Sequence, residues 1–203
     1  MMNPIKEIFE AEASAVLNIP VTGNFNKACE LIFEAVHEKK GKVVASGMGK
    51  AGQIALNIAT TFSATGTPAV FLHPSDAQHG DLGVIQSHDV LLLISNSGKT
   101  REILELYNLV KMLGYDLRVV VITGNPDSEL GNLADVTIST GNPQEVCPLG
   151  LTPTTSTTVM TVIGDALVVL MMKRIGFTAA DYAKRHHGGY LGTKSRDAAR
   201  NGK

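Results

Sequence analysis

Val90-Leu91-Leu92-Leu93-Ile94 runs directly into Ser95-Asn96-Ser97-Gly98-Lys99-Thr100. Five consecutive apolar residues with no polar alternation suit a strand covered on both faces, as in a parallel sheet between helices. The hydroxyl- and glycine-rich residues that follow predict a turn. Residues 100–113 then place Ile103, Leu106, Tyr107, Val110 and Leu113 at steps of three and four, one apolar helix face. Gly114 ends that helix. The same unit recurs outward in both directions. Residues 42–46, 69–72, 118–122 and 136–139 are further continuous strand-forming runs, and 51–65 and 154–175 are long helical stretches. Thr178 with Asp181 three residues on predicts a capping box opening a short helix toward Ala183. The alternation predicts an α/β protein, a single three-layer doubly wound domain on an open sheet.

At 203 residues the chain allows one domain with an extension. Apolar residues make up 44% and charged residues 18%, enough for a sizeable core and against disorder. Eighteen Lys and Arg against nineteen Asp and Glu leave a charge of −1, which argues against nucleic acid as a partner. The longest unbroken apolar run, residues 166–172, is far short of a membrane span. Lys6, Glu7, Glu10 and Glu12 are wrong for a secretory signal, and two cysteines, Cys29 and Cys147, read as reduced thiols, so a cytoplasmic protein is expected. Two helices, at 4–17 and 24–39, precede the first strand. Ile5, Ile8, Phe9, Val16 and Ile19 give the first an apolar stripe, to be packed on its own sheet or against another copy. The expected organisation is N-terminal helices over 1–40, the α/β domain over 41–192 and a tail over 193–203.

Two strand-to-helix turns carry chemistry. Gly47-Met48-Gly49-Lys50-Ala51-Gly52 is a literal G-x-G-x-x-G, yet the next strand ends in His73-Pro74, with no acid placed to hold a ribose, so a dinucleotide is disfavoured. Ser97-Gly98-Lys99-Thr100 imitates the end of a Walker A loop, but Leu93 stands where its leading glycine belongs. Ser95, Ser97 and Thr100 instead offer three hydroxyls beside free amides and a positive helix end, a fit for one small phosphate monoester. No His pair has the H-E-x-x-H spacing and Cys29 and Cys147 form no C-x-x-C, so no metal and no cofactor are expected.

The residues around these turns resemble the sugar isomerase (SIS) domain family, and within it the arabinose 5-phosphate isomerases. The resemblance rests on Gly47-Met48-Gly49-Lys50, His79-Gly80-Asp81-Leu82-Gly83, Ser95-Asn96-Ser97-Gly98, Glu145-Val146-Cys147-Pro148-Leu149-Gly150-Leu151 and Pro153-Thr154-Thr155-Ser156-Thr157-Thr158, and it spans roughly 24–192. It implies a five-stranded parallel sheet, a homotetramer with sites between subunits, and interconversion of D-ribulose 5-phosphate and D-arabinose 5-phosphate. That reaction feeds 3-deoxy-D-manno-octulosonate synthesis for lipopolysaccharide or capsule. A chain of this length resembles the short form without CBS domains. Carried over by position, the catalytic candidates are Lys50, Glu102, Glu145 and His186, with His79 as a further polar candidate. Ser46, Gly47, Ser95, Asn96, Ser97 and Thr100 are the substrate-binding candidates. Glu145 is the expected base, its carboxyl tuned toward neutrality; Lys50 would polarise the carbonyl, and His186 would shuttle a proton. The chain departs from the family at Lys99, Gln53 and His187, where an acid, a histidine and a proline are usual. Lys99 and His187 would add positive charge for an anionic feedback ligand of the octulosonate pathway. Alternatives that keep the fold are another phosphosugar isomerase and a non-catalytic sugar-phosphate sensor.

Overall fold

The computed structural model describes residues 3–200. Five strands, β1 (Val43–Gly47), β2 (Ala69–Phe71), β3 (Val90–Ile94), β4 (Arg118–Thr123) and β5 (Val136–Ser139), form one all-parallel sheet in the order β2-β1-β3-β4-β5. Between them run α3 (Gly49–Ala64), α4 (Pro74–Ala77), a 3₁₀ turn (Asp81–Val84), α5 (Arg101–Met112) and α6 (Glu129–Leu133). Before the sheet come α1 (Pro4–Leu17) and α2 (Asn24–Phe33), the latter continuing as one π-helical turn over Glu34–Glu38. After it come α7 (Thr155–Arg174), α8 (Ala179–Ala183) and α9 (Gly189–Arg200).

Continuous apolar strands are what two covered faces require, and β3 shows it residue by residue. Val90, Leu92 and Ile94 enter the core with Ile32 of α2, Ile58 and Phe62 of α3 and Val159 and Leu167 of α7. Leu91 and Leu93 enter the opposite core with Ile103, Leu106 and Val110 of α5 and Leu130 of α6. At the amino edge of the sheet the buried Asp89 carboxylate accepts from the Lys42 amide at 2.9 Å, the Lys42 ammonium at 2.7 Å and the Gln86 amide at 2.8 Å. It ties the entrances of β1 and β3 together.

The expected strands appear within a residue of their limits, and the Thr178–Asp181 capping box is present. Four features differ. The helix expected to start at residue 51 starts at Gly49. The apolar stripe of α1 is only half covered: Val16 and Ile19 pack on the core, while Ile5 and Phe9 are 59% and 67% exposed. The tail expected over 193–203 is helical to Arg200, and 201–203 lie outside the described residues. Finally, α7 is long and apolar enough to cross a membrane, which counting unbroken runs conceals; half of that window is buried against the core.

Candidate functional site

Order 2-1-3 means that the chain leaves β1 and β3 toward helices on opposite faces, which opens a crevice at the carboxyl edge between them. A cavity of about 680 Å³ occupies that edge. Met48, Lys50 and Ala51 come to it from the β1–α3 turn, and Ser95, Asn96, Ser97, Lys99 and Thr100 from the β3–α5 turn. Gly124, Asn125 and Asn142 follow β4 and β5, and Pro153, Ser156, Thr157 and Met160 belong to the start of α7.

The β1–α3 glycines serve packing. A Cβ on Gly52 would lie 2.6 Å from the Gly47 carbonyl oxygen, so the pair lets α3 sit directly on β1. In the β3–α5 turn the Ser95 hydroxyl, 2% exposed, bonds that of Thr100 at 2.7 Å and accepts from the Gly98 amide at 3.1 Å. Thr100 stands at the N-cap of α5 without capping it, because its hydroxyl is engaged with Ser95. That helix end thus carries no side-chain cap, and neither does that of α3, whose N-cap is Met48. Lys50 and Lys99 add two cations, and among the described residues no acidic side chain lines the cavity. Two positive helix ends, two ammonium groups and hydroxyls fit a small anion with polar groups attached.

The wall beyond the β3–α5 turn is built twice from one local device. Both β4 and β5 lead into Thr-Gly-Asn: Thr123-Gly124-Asn125 and Thr140-Gly141-Asn142. In each the threonine hydroxyl accepts from the asparagine amide, at 3.1 Å and 3.3 Å, turning Asn125 and Asn142 toward the cavity. Asn142 takes a left-handed backbone, φ 50°, which asparagine tolerates better than most residues.

Of the expected site residues, the structure brings Lys50, Ser95, Asn96, Ser97 and Thr100 together around this cavity. Ser46 is buried and donates its hydroxyl to the Leu72 carbonyl at 2.6 Å; Gly47 is buried in β1, and neither reaches the cavity. Glu102 lies half-buried in the first turn of α5, outside the lining. His79 is exposed after α4. His186 lies between α8 and α9, its ring stacked on Tyr182 at 3.7 Å and its Nδ1 3.2 Å from the Tyr182 carbonyl oxygen. That bond leaves Nε2 as the ring's other polar atom.

Glu145 stands behind the cavity wall and closes the start of α7. Its Oε2 accepts from the Thr154 amide at 2.6 Å, the Thr154 hydroxyl at 2.9 Å and the Ser156 amide at 3.3 Å; its Oε1 accepts from the Ser156 hydroxyl. Burial alone would push this carboxyl up, but the bonds from Ser156 and Thr154 outweigh it and hold the group below the ordinary glutamate value. The expected tuning toward neutrality is thus corrected: Glu145 stays ionised. Cys147, two residues on, accepts from the Leu151 and Thr152 amides at 3.2 and 3.1 Å, and these bonds lower its thiol pKa.

Asn125, Asn142, Ser156 and Thr157 are lining residues that sequence reasoning did not single out as ligands. The repeated Thr-Gly-Asn after two consecutive strands was the signal available for the first pair. Among the described residues no group of three or more His, Cys, Asp or Glu is placed to hold a metal ion.

A family model described as the SIS domain matches residues 36–170. The arabinose 5-phosphate isomerases KdsD of Yersinia pestis and of Escherichia coli K12 are each 48% identical over 185 residues, 91% of this chain. The chain spans 55% of the length of those curated relatives. A Bacteroides fragilis NCTC 9343 protein, proposed to be a phosphosugar isomerase involved in capsule formation, superposes with a TM-score of 0.90 at 68% identity, covering 92% of this chain and 97% of that one. Escherichia coli CFT073 c3406, solved in complex with arabinose 5-phosphate, superposes with a TM-score of 0.78 at 37% identity, covering 88% and 93%.

Proposed function

The chain belongs to the SIS domain family, and we propose that it is an aldose–ketose isomerase interconverting D-ribulose 5-phosphate and D-arabinose 5-phosphate through a cis-enediol. The observation that carries this reading is the cavity itself. Uncapped helix ends, the Ser95–Thr100 hydroxyls and Lys99 form one anion-binding subsite, while Lys50 and the two Thr-Gly-Asn asparagines leave polar groups for a short sugar beyond it. Identity to the KdsD isomerases and the arabinose 5-phosphate complex of c3406 support a phosphorylated pentose.

In the proposed reaction one base removes the proton from C2 of the aldose and returns it to C1. We assign that role to Glu145, an ionised carboxylate hydrogen-bonded to the cavity-lining Ser156. Such catalysis contributes about 10²–10⁴-fold. Lys50 stabilises the enediolate oxygen, and Asn125 and Asn142 hold sugar hydroxyls. His186, outside this chain's own cavity, is proposed to shuttle a hydroxyl proton in a neighbouring copy's site within a homotetramer. Glu102 and His79 take no step here. The product would feed octulosonate synthesis in the cytoplasm, and an anionic product of that pathway would inhibit at the same cavity through Lys99.

The test is a coupled assay with D-arabinose 5-phosphate, with ribose 5-phosphate and a hexose phosphate for comparison, beside Glu145→Gln. Selective turnover lost in the variant is the expected result. Activity that survives the substitution moves the base role to His186. Binding of sugar phosphates without turnover would replace the isomerase by a sensor.

A further inference from the structure

We infer that Glu12, on the N-terminal helix, is a positioning residue that anchors the loop bearing Glu145; its catalytic consequence rests on the isomerase reading above. Position 12 falls on the apolar stripe of α1, one helical repeat after Ile8 and one before Val16. An acid there is out of pattern for a helix that packs on its neighbour. Residues 3–11 of α1 and its cap are all exposed, and Glu12 is where the helix first becomes covered, against the start of α7.

The contact it makes is specific. The Thr155 hydroxyl donates to Glu12 Oε1 at 3.1 Å, across 143 residues of sequence. The same hydroxyl accepts from the Val146 amide at 3.1 Å. A hydroxyl has one proton, so these two bonds fix its direction: Val146 N–H to Thr155, Thr155 O–H to Glu12. Val146 follows Glu145 directly, and the relay therefore holds the peptide that presents the proposed base. Glu12 Oε2 is buried and has no hydrogen-bond partner among the described residues. A carboxylate kept half in the dry, with one oxygen unsatisfied, is costly as packing; an apolar side chain on this stripe would seat α1 better. What the carboxylate supplies and an apolar residue cannot is an acceptor for Thr155. Seating of α1 and placement of Glu145 are thus linked.

The experiment compares Glu12→Ala, Glu12→Gln and Thr155→Ser with the wild-type chain, by amide hydrogen exchange at Val146 and by steady-state kinetics with D-arabinose 5-phosphate. Glu12→Ala should speed Val146 exchange while amides of β3 keep their wild-type rates. It should lower kcat by about ten- to a hundredfold with KM unchanged, the loss typical of a reacting group displaced by about an ångström. Glu12→Gln and Thr155→Ser, which retain an acceptor and a hydroxyl, should restore both readouts. Unchanged Val146 exchange in Glu12→Ala overturns the anchoring, and faster exchange with unchanged kcat overturns the positioning role. If the wild-type chain itself turns over no pentose phosphate, the isomerase reading falls, and faster Val146 exchange in Glu12→Ala still supports the anchor.

Discussion

Gly98→Ala tests whether the turn after β3 is built as described. Gly98 has φ +64°, and a Cβ there would lie 2.5 Å from the Ser128 Cβ, besides striking the Ser128 hydroxyl. Rotating Ser128 moves the hydroxyl but not its Cβ. The left-handed backbone costs an alanine roughly 1–2 kcal/mol, and forcing a methyl into this contact adds about 1–3 kcal/mol. Ser128 caps α6 by accepting from the Gly131 amide at 3.2 Å, and losing that cap adds about 1 kcal/mol. The total is about 3–6 kcal/mol, a large part of the roughly 5–15 kcal/mol by which a domain is stable. Urea unfolding at constant slope measures it. Ser128→Gly removes the obstructing side chain at a cost of only a few tenths of a kcal/mol at a cap, about 0.3. The double variant Gly98→Ala/Ser128→Gly should therefore lose only about 1–2 kcal/mol. A single variant that loses under about 1 kcal/mol, or a double variant no more stable than Gly98→Ala, refutes the reasoning. On the proposed function, arabinose 5-phosphate should raise the melting temperature of the wild-type chain and not that of the single variant, because Gly98 and Ser95 shape the turn together.

Asp89→Asn breaks a buried charge pair and should cost about 3–5 kcal/mol, while KM stays at its wild-type value because Asp89 lies at the opposite edge of the sheet from the cavity. The Glu145 carboxyl is depressed in the folded state, so its contribution is complete above the ordinary glutamate pKa of about 4.3 and is lost as pH falls through the lower folded value. Urea unfolding of wild type and Glu145→Gln should accordingly show a stability gap that is constant at neutral pH and closes in acid; a gap that widens in acid contradicts the assignment. Thiol labelling at pH 8 should modify Cys147 rapidly, while Cys29, whose buried thiol is pushed up to about 11, should react only on unfolding.

What the chain shows locally was legible before its structure. Strand runs, the α5 stripe and the Thr178 cap each concern residues within a few positions of one another, and propensity and periodicity report at that range. The turn between β3 and α5 was legible for the same reason, since Ser95, Gly98 and Thr100 bond among themselves. Glu145 was not: its position before Cys147-Pro148 suggested a loop near the sheet edge, but its low pKa comes from Thr154 and Ser156, brought back by the loop between them. Glu12 is further still from legibility, its partner lying 143 residues away. The engagement of Ser46 was not legible either: a hydroxyl at a strand end looks available, whereas the Leu72 carbonyl just after β2 takes it. The helix α9 was hidden by Gly188, Gly189 and Gly192, which lower intrinsic helicity near its start.

The Asp89–Lys42 tie also decides alignment. In a sheet with one wet face, sliding a strand by one residue turns its apolar side outward and is rejected at once. β1 and β3 have no wet face: all ten of their residues are buried, and a slipped pairing would present one apolar surface in place of another. Hydrophobicity alone is nearly indifferent to which Val meets which Leu. The pairing Val43 with Val90 is the one that sets Lys42 beside Asp89. Any shift would leave the carboxylate in the core edge without its cation, at about 3–5 kcal/mol. A single ion pair at the mouth of two featureless strands thereby selects among competing sheets, and its larger effect is on which structure the chain reaches rather than on how firmly it stays there.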